Sequence, residues 1–228
     1  MRTNVVYNGD CIQGLKRLPD KSVDLILTDP PYGVNLGYDV YDDTEENWFT
    51  LLNYAIPELR RLATMVILPS CQIKRLDWFY TNHKPDWILC WYKGSTGCSA
   101  YIGFNDWEPH LVYGKNTNTM HDYFAVTNNE AMGNYGHPCP KPLGWASWII
   151  KRATKESQII LDPFCGSGTT CVAAKMLGRR YIGIDISEEY CDIARERLKG
   201  VRPSLFEKPK KRIPEQTLGI KTKKRRIK

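Results

Sequence analysis

Apolar residues along this chain fall in short runs of two alternating kinds. Val5-Val6-Tyr7, Val23-Asp24-Leu25-Ile26-Leu27, residues 63–69, 87–93 and 110–115, Gln158-Ile159-Ile160-Leu161 and residues 180–186 are compact blocks bounded by Gly, Pro, Asn or Asp, and read as strands. Between them the apolar positions recur at helical spacing. Residues 46–62 carry them at 48, 49, 51, 52, 55, 56, 59 and 62, which predicts an amphipathic helix in spite of Pro57. Shorter helices are predicted after Asp10, with Ile12, Leu15 and Leu18 on one face, over 73–79, over 145–153, after Gly168 and over 187–199. Seven strands alternating with helices predict an α/β chain: a mainly parallel sheet with helices on both faces.

Two strand ends carry unusual chemistry. The run 23–27 stops at Thr28-Asp29-Pro30-Pro31-Tyr32-Gly33, where two prolines hold the turn stiff and cannot donate to a ladder. A carboxylate, fixed carbonyls and an aromatic ring remain at the tip. Asp29 and the Pro30 carbonyl can accept both hydrogens of an amino group on a flat ring, with Tyr32 as a stacking face; a plain strand-ending turn is the other reading. The second strand end is Asp162-Pro163-Phe164-Cys165-Gly166-Ser167-Gly168-Thr169-Thr170, a glycine turn opening into a helix, which suits close backbone approach to a ligand. About 20 residues further on, Gly183-Ile184-Asp185-Ile186 ends a strand in a carboxylate, where acidic groups take ribose hydroxyls.

Together these motifs resemble the amino-directed DNA methyltransferases, with Asp-Pro-Pro-Tyr as catalytic motif and Asp-Pro-Phe-x-Gly-Ser-Gly-Thr-Thr as the S-adenosyl-L-methionine motif. Catalytic motif first and cofactor motif last is the order of the family's beta class. The resemblance covers roughly residues 4 to 200 and implies a Rossmann-like, seven-stranded methyltransferase fold with circularly permuted motifs. It implies Asp29, Pro30, Pro31 and Tyr32 as catalytic, and Asp10, Lys141, Asp162, Phe164, Gly166, Ser167, Gly168, Thr169, Asp185 and Ile186 as cofactor-binding. Asp10 lies near the adenine in that scheme, though it also suits a helix N-cap. Lys141, in His137-Pro138-Cys139-Pro140-Lys141-Pro142, would sit near the methionine carboxylate or face solvent. A leading Asp in the tetrad favours adenine N6 over cytosine N4, and a duplex base must flip out to reach it.

Residues 33–44 read as a loop over this site, with Tyr38 and Tyr41 either stacking on the target strand or simply exposed. Trp91 and Tyr92 are candidates for the flipped base or for the core. A target-recognition insertion is expected at about 94–136. Double-stranded DNA is the expected partner, contacted by Tyr38, Lys93 and the tail residues Lys210, Lys211 and Arg212; a homodimer is compatible with so short an insertion. Neither metal nor membrane is called for. No apolar run approaches the roughly 18 residues of a membrane span, and the polar start Met1-Arg2-Thr3-Asn4 has no signal-peptide core, so an intracellular protein is expected.

Charge and cysteine refine the picture. The formal net charge is +7 over 228 residues, yet residues 200–228 hold eleven Lys/Arg against Glu207 and Glu215, so the basic surplus belongs to the tail and the body is slightly acidic. The eight cysteines contain no C-x-x-C pair, which argues against structural zinc. Rival readings are a cytosine-C5 enzyme using Cys139, which leaves the tetrad unexplained, an RNA amino methyltransferase, and a non-catalytic DNA-binding subunit. Deleting residues 208–228 should flatten the salt dependence of DNA binding and leave the modified sequence unchanged, as measured by filter binding across a salt series and methylation mapping.

Overall fold

The structure is a computed structural model that describes residues 1–38, 40–70, 73–94, 99–100, 103–115, 121–127 and 140–202. The strands are β1 (Val5–Asn8), β2 (Val23–Leu27), β3 (Ala63–Pro69), β4 (Trp87–Tyr92), β5 (Ser99–Ala100), β6 (Gly103–Phe104), β7 (Trp107–Gly114), β8 (Tyr123–Ala125), β9 (Ile159–Asp162) and β10 (Arg180–Asp185). The α-helices are α1 (Cys11–Lys16), α2 (Glu45–Leu62), α3 (Leu76–Asn82), α4 (Leu143–Ala153), α5 (Thr169–Met176) and α6 (Glu188–Lys199). All seven expected strands are present. The expected helix over 73–79 forms instead as a 3₁₀ turn, Ile73–Arg75, running into α3.

The sheet has the order β1-β10-β9-β2-β3-β7-β4-β8, one strand more than the seven expected. The additional β8 pairs parallel to β4 through only three residues, of which Phe124 alone is buried, so neither length nor alternation marks it in the sequence. β1, β10, β9, β2 and β3 run parallel, and β7 is antiparallel to both β3 and β4. β5 and β6 form a separate small hairpin.

Two cores cover the two faces. One packs Trp145, Ile149, Cys171, Val172, Cys191 and Ala194 of α4 to α6 against β2, β9 and β4, and the other packs Leu15, Trp48, Leu52, Ile56 and Phe79 of α1 to α3 against β2, β3 and β7. Side chains alternate along β2 accordingly: Leu25 and Leu27 enter the first core and Ile26 the second, all three fully buried. Thr44 caps α2 by accepting from the Asn47 amide, and Ser187 caps α6 by accepting from that of Tyr190.

The functional geometry follows from the place where β2 and β9 lie side by side, with Leu25 opposite Ile160 and Ile26 opposite Leu161. From β9 the chain leaves through α5 toward β10; from β2 it leaves through α2, on the opposite face, toward β3. This is a topological switch point, and it opens a crevice beyond the carboxyl ends of the two strands. The glycine turn fits there because Gly168 adopts φ +83° as N-cap of α5, and a Cβ on it would stand 2.7 Å from the Ala194 Cβ. Gly168→Ala therefore combines backbone strain with a clash against α6. It should lower unfolding free energy by about 1–3 kcal/mol, measured by urea denaturation.

Candidate functional site

A single cleft over the switch point is walled by the turns after β2, β9 and β10, by the segment entering α4 and by the loop after the Pro-Pro turn. Of the residues expected at the site, Asp29, Pro30, Pro31, Tyr32, Tyr38, Asp10, Lys141, Asp162, Phe164, Gly166, Ser167, Thr169, Asp185 and Ile186 all line it. Gly168 lies beneath, shaping the turn. Lys93 is set back, its side chain 12% exposed and its ammonium 3.6 Å from a carboxylate oxygen of Glu108, a partner that competes with any phosphate for it. Lys210, Lys211 and Arg212 lie outside the described residues, as do His137 to Cys139 and, within the expected insertion, residues 95–98, 101–102, 116–120 and 128–136.

At the β2 side of the cleft, Asp29 is held at both oxygens. Its Oδ1 accepts the Tyr32 hydroxyl at 2.7 Å, and its Oδ2 lies 2.9 Å from Lys141 Nζ. Lys141 also donates to the Tyr32 hydroxyl at 2.5 Å and stands 4.9 Å from the centre of its ring. Thus the lysine expected at the cofactor carboxylate is in contact with the Asp29-Pro30-Pro31-Tyr32 turn itself. Side-chain exposure of 9% for Lys141 and 22% for Asp29 makes this a largely desolvated pair, in which losing one partner strands the other's charge.

The end of the tetrad is clamped by residues that sequence reasoning passed over. Gly33, with φ +61° and Trp48 against it, donates its N–H to Asp43 Oδ1 at 2.6 Å, and its carbonyl accepts from Arg75 Nη2 at 2.9 Å. The buried Asp43 also accepts from the Val34 and Leu36 amides, and the Arg75 guanidinium lies 4.2 Å over the Trp48 ring. The loop 33–44 is accordingly tethered at its root while Tyr38 and Tyr41 reach the cleft. In sequence, Asp43 looks like the other aspartates of a polar loop, and Arg75 like one more surface cation.

Trp91 is core: it is 1% exposed, and its Nε1–H donates to the Val126 carbonyl at 2.9 Å. Tyr92, at the next position along β4, is exposed on the opposite face.

In the other half of the cleft the carboxylates are held by neutral groups. Asp185 Oδ2 accepts the Gly166 amide at 2.7 Å and Oδ1 the Ser187 amide at 3.0 Å. Burial raises the Asp185 pKa, and these backbone hydrogen bonds oppose the rise. Asp162 Oδ1 takes the Thr28 hydroxyl at 2.6 Å and the Phe164 amide at 3.2 Å. Burial pushes the Asp162 carboxyl up to about 7, against the hydrogen bonds from Thr28, Thr170 and Phe164. Asp10 both caps α1, accepting the Gln13 amide at 2.8 Å, and lines the cleft, so its two readings hold together. The cysteines of this region, Cys11, Cys165, Cys171 and Cys191, are free and buried.

A strand-tip carboxylate facing a glycine turn across a switch point is the layout of a group-transfer site, and comparison with known proteins gives its class. Residues 82–196 match the DNA methylase family (N6_N4_Mtase), and the chain belongs to that family. It is similar to YubD of Escherichia coli (strain K12), 33% identical over 208 residues, 86% of this chain and 91% of that protein. It is also similar to the Type II methyltransferase M.HinfI of Haemophilus influenzae, 29% identical over 274 residues, 94% of this chain and 76% of that protein. Among solved structures, the M1.HpyAVI–SAM complex superposes with a TM-score of 0.64 at 25% identity, covering 85% of this chain and 98% of that one. The cytosine-N4-specific PvuII DNA methyltransferase has the same TM-score of 0.64 at 17% identity over 86% of this chain and 87% of that one, and shares the fold.

The raised Asp162 pKa has a sign that can be checked. An aspartate titrates near 3.9 in an unfolded chain and near 7 here, so its ionisation costs the folded state stability as pH rises between those values. Asp162→Asn keeps the acceptor for Thr28 and Phe164. At pH 8 it should stabilise the ligand-free protein by on the order of 2 kcal/mol, an advantage that shrinks as pH falls through 7 and vanishes below about 4, as read by urea denaturation across pH.

Proposed function

We propose that this protein transfers the methyl group of S-adenosyl-L-methionine to the exocyclic N6 of an adenine flipped out of double-stranded DNA. The observation that carries the reading is the single cleft in which the Asp29 carboxylate of the β2 tip faces the glycine turn of the β9 tip. Support for the cofactor comes from the M1.HpyAVI–SAM complex and from the fit of the residues present. Ile186, 48% exposed beside Asp185, offers an apolar surface to a purine next to a carboxylate suited to a ribose diol, and Gly166 and Ser167 carry the turn toward the amino-acid end.

S-adenosyl-L-methionine, when bound, supplies an electrophilic methyl on a positively charged sulfur. The rest of the task is positioning. An exocyclic amino nitrogen is a poor nucleophile because its lone pair is delocalised into the ring. Asp29 and the Pro30 carbonyl accept its two hydrogens and so favour a pyramidal nitrogen with an available lone pair. A carboxylate has about four acceptor sites; Tyr32 and Lys141 take one on each oxygen of Asp29, so capacity remains for the base. Those bonds also fix the angle of the Tyr32 ring, the surface that replaces lost base stacking. As the nitrogen gains the methyl it becomes acidic, and Asp29 is placed to take its proton.

Adenine is favoured over cytosine by the leading Asp of the tetrad. Cytosine N4 is the second reading, because both bases present the same amino geometry to Asp29 and Pro30. Nucleoside mass spectrometry of plasmid DNA from expressing cells should show N6-methyladenine that disappears with Asp29→Ala. N4-methylcytosine would move the reading to the other base, and neither product would overturn it. With purified protein, Asp29→Ala should keep cofactor affinity while Asp185→Ala weakens it by about 1–3 kcal/mol. Equal loss in both would refute this division of roles.

A further inference from the structure

Behind the cleft wall, Glu108 lies near the start of β7 with its side chain 10% exposed. Its carboxylate is 3.6 Å from Lys93 Nζ, 4.0 Å from Lys141 Nζ and 3.5 Å from the Tyr32 hydroxyl. Lys141 and Tyr32 are the two groups that grip Asp29. Two carboxylates and two ammonium groups thus form one desolvated, charge-balanced cluster, in which Glu108 touches both partners of Asp29 and lies one contact away from the cleft.

The backbone around Glu108 is braced for this task. Its carbonyl accepts from His110 Nδ1 at 3.3 Å, while His110 Nε2 accepts the Trp145 indole N–H at 2.6 Å. His110 is completely buried, and burial, with Lys141 nearby, lowers its pKa to about 3, so it stays a neutral link between the two. Trp145 sits in the first turn of α4, four residues beyond Lys141. The Trp145–His110–Glu108 strut therefore joins the element carrying Glu108 to the one carrying Lys141 and sets the spacing between them. Edge-on contacts of His110 with Trp91 and Phe124 leave the imidazole little freedom to turn.

We propose that Glu108 is a positioning residue for methyl transfer: it holds Lys141 and the Tyr32 hydroxyl where they orient the Asp29 carboxylate. This rests on the reading of Asp29 as the group that receives the target amine. A core ion pair with no such role would affect folding and leave the chemical step alone.

The test uses the full chain and the variants Glu108→Gln, Lys141→Met and their combination. It reads single-turnover methyl transfer to DNA, calorimetric affinity for S-adenosyl-L-methionine, and melting temperature. Glu108→Gln should slow the single-turnover step on the order of 10- to 100-fold with cofactor affinity unchanged. Because Glu108 acts through Lys141, the double variant should be no slower than Lys141→Met alone. A wild-type rate in Glu108→Gln, or rate losses that multiply in the double variant, would overturn the proposal. If the Gln variant fails to fold, the same cycle with Glu108→Asp decides on the same criterion. No methyl transfer by the wild-type chain, in contrast, would strike the proposed reaction itself.

Discussion

One hydrogen bond ties the two halves of this molecule's chemistry together. The Thr28 hydroxyl at the tip of β2 donates to Asp162 Oδ1 at the tip of β9 over 2.6 Å, with both residues buried. Strands that merely pair in register can end at different heights, but these two are pinned at the point where each turns out of the sheet. Thr28 is also held from the other side, its amide donating to the Ile67 carbonyl of β3 at 3.3 Å. The stiff Pro30-Pro31 turn and the glycine turn therefore start from a common platform, and the distance between these two turns is set by the sheet rather than by loops. Such placement on rigid elements is what a reaction governed by alignment requires.

Much of this was legible in the sequence because it is written in local signals. Aliphatic blocks cut by Pro or Gly gave all seven long strands, and the carboxylates at their tips fell into one cleft as the crossover rules for parallel sheets demand. What escaped is what depends on partners distant in the chain. Arg75 clamps Gly33 from 42 residues away, and His110 accepts from Trp145 across 35. Nothing near Arg75 or His110 distinguishes either residue from an ordinary surface cation or strand histidine. Lys141 shows the same limit in a milder form: its local motif marked it as a candidate site lysine, and only the packing of α4 against β2 and β7 brought it to Asp29.

The two halves of the cleft treat their carboxylates in opposite ways. Asp29 is matched with a cation, since Lys141 lies 2.9 Å away and Glu108 is balanced in turn by Lys93. Replacing such a cluster with apolar side chains commonly stabilises a protein, so its presence around Asp29 fits a role in orientation better than one in stability. Among the described residues, Asp162 and Asp185 have no such cation against them. Neutral hydroxyl and amide donors hold them, and burial raises the pKa of both, that of Asp162 to about 7. An uncompensated pair of buried acids is a poor solution for an empty protein and a good one for a protein that binds a cation there. In the proposed reaction the ligand of that half carries a positive sulfur, which would supply the missing charge. The same electrostatics would discriminate against the neutral thioether left after transfer. Under the proposed reaction, the half-site that looks least stable would be the one expected to favour the charged cofactor over the spent one.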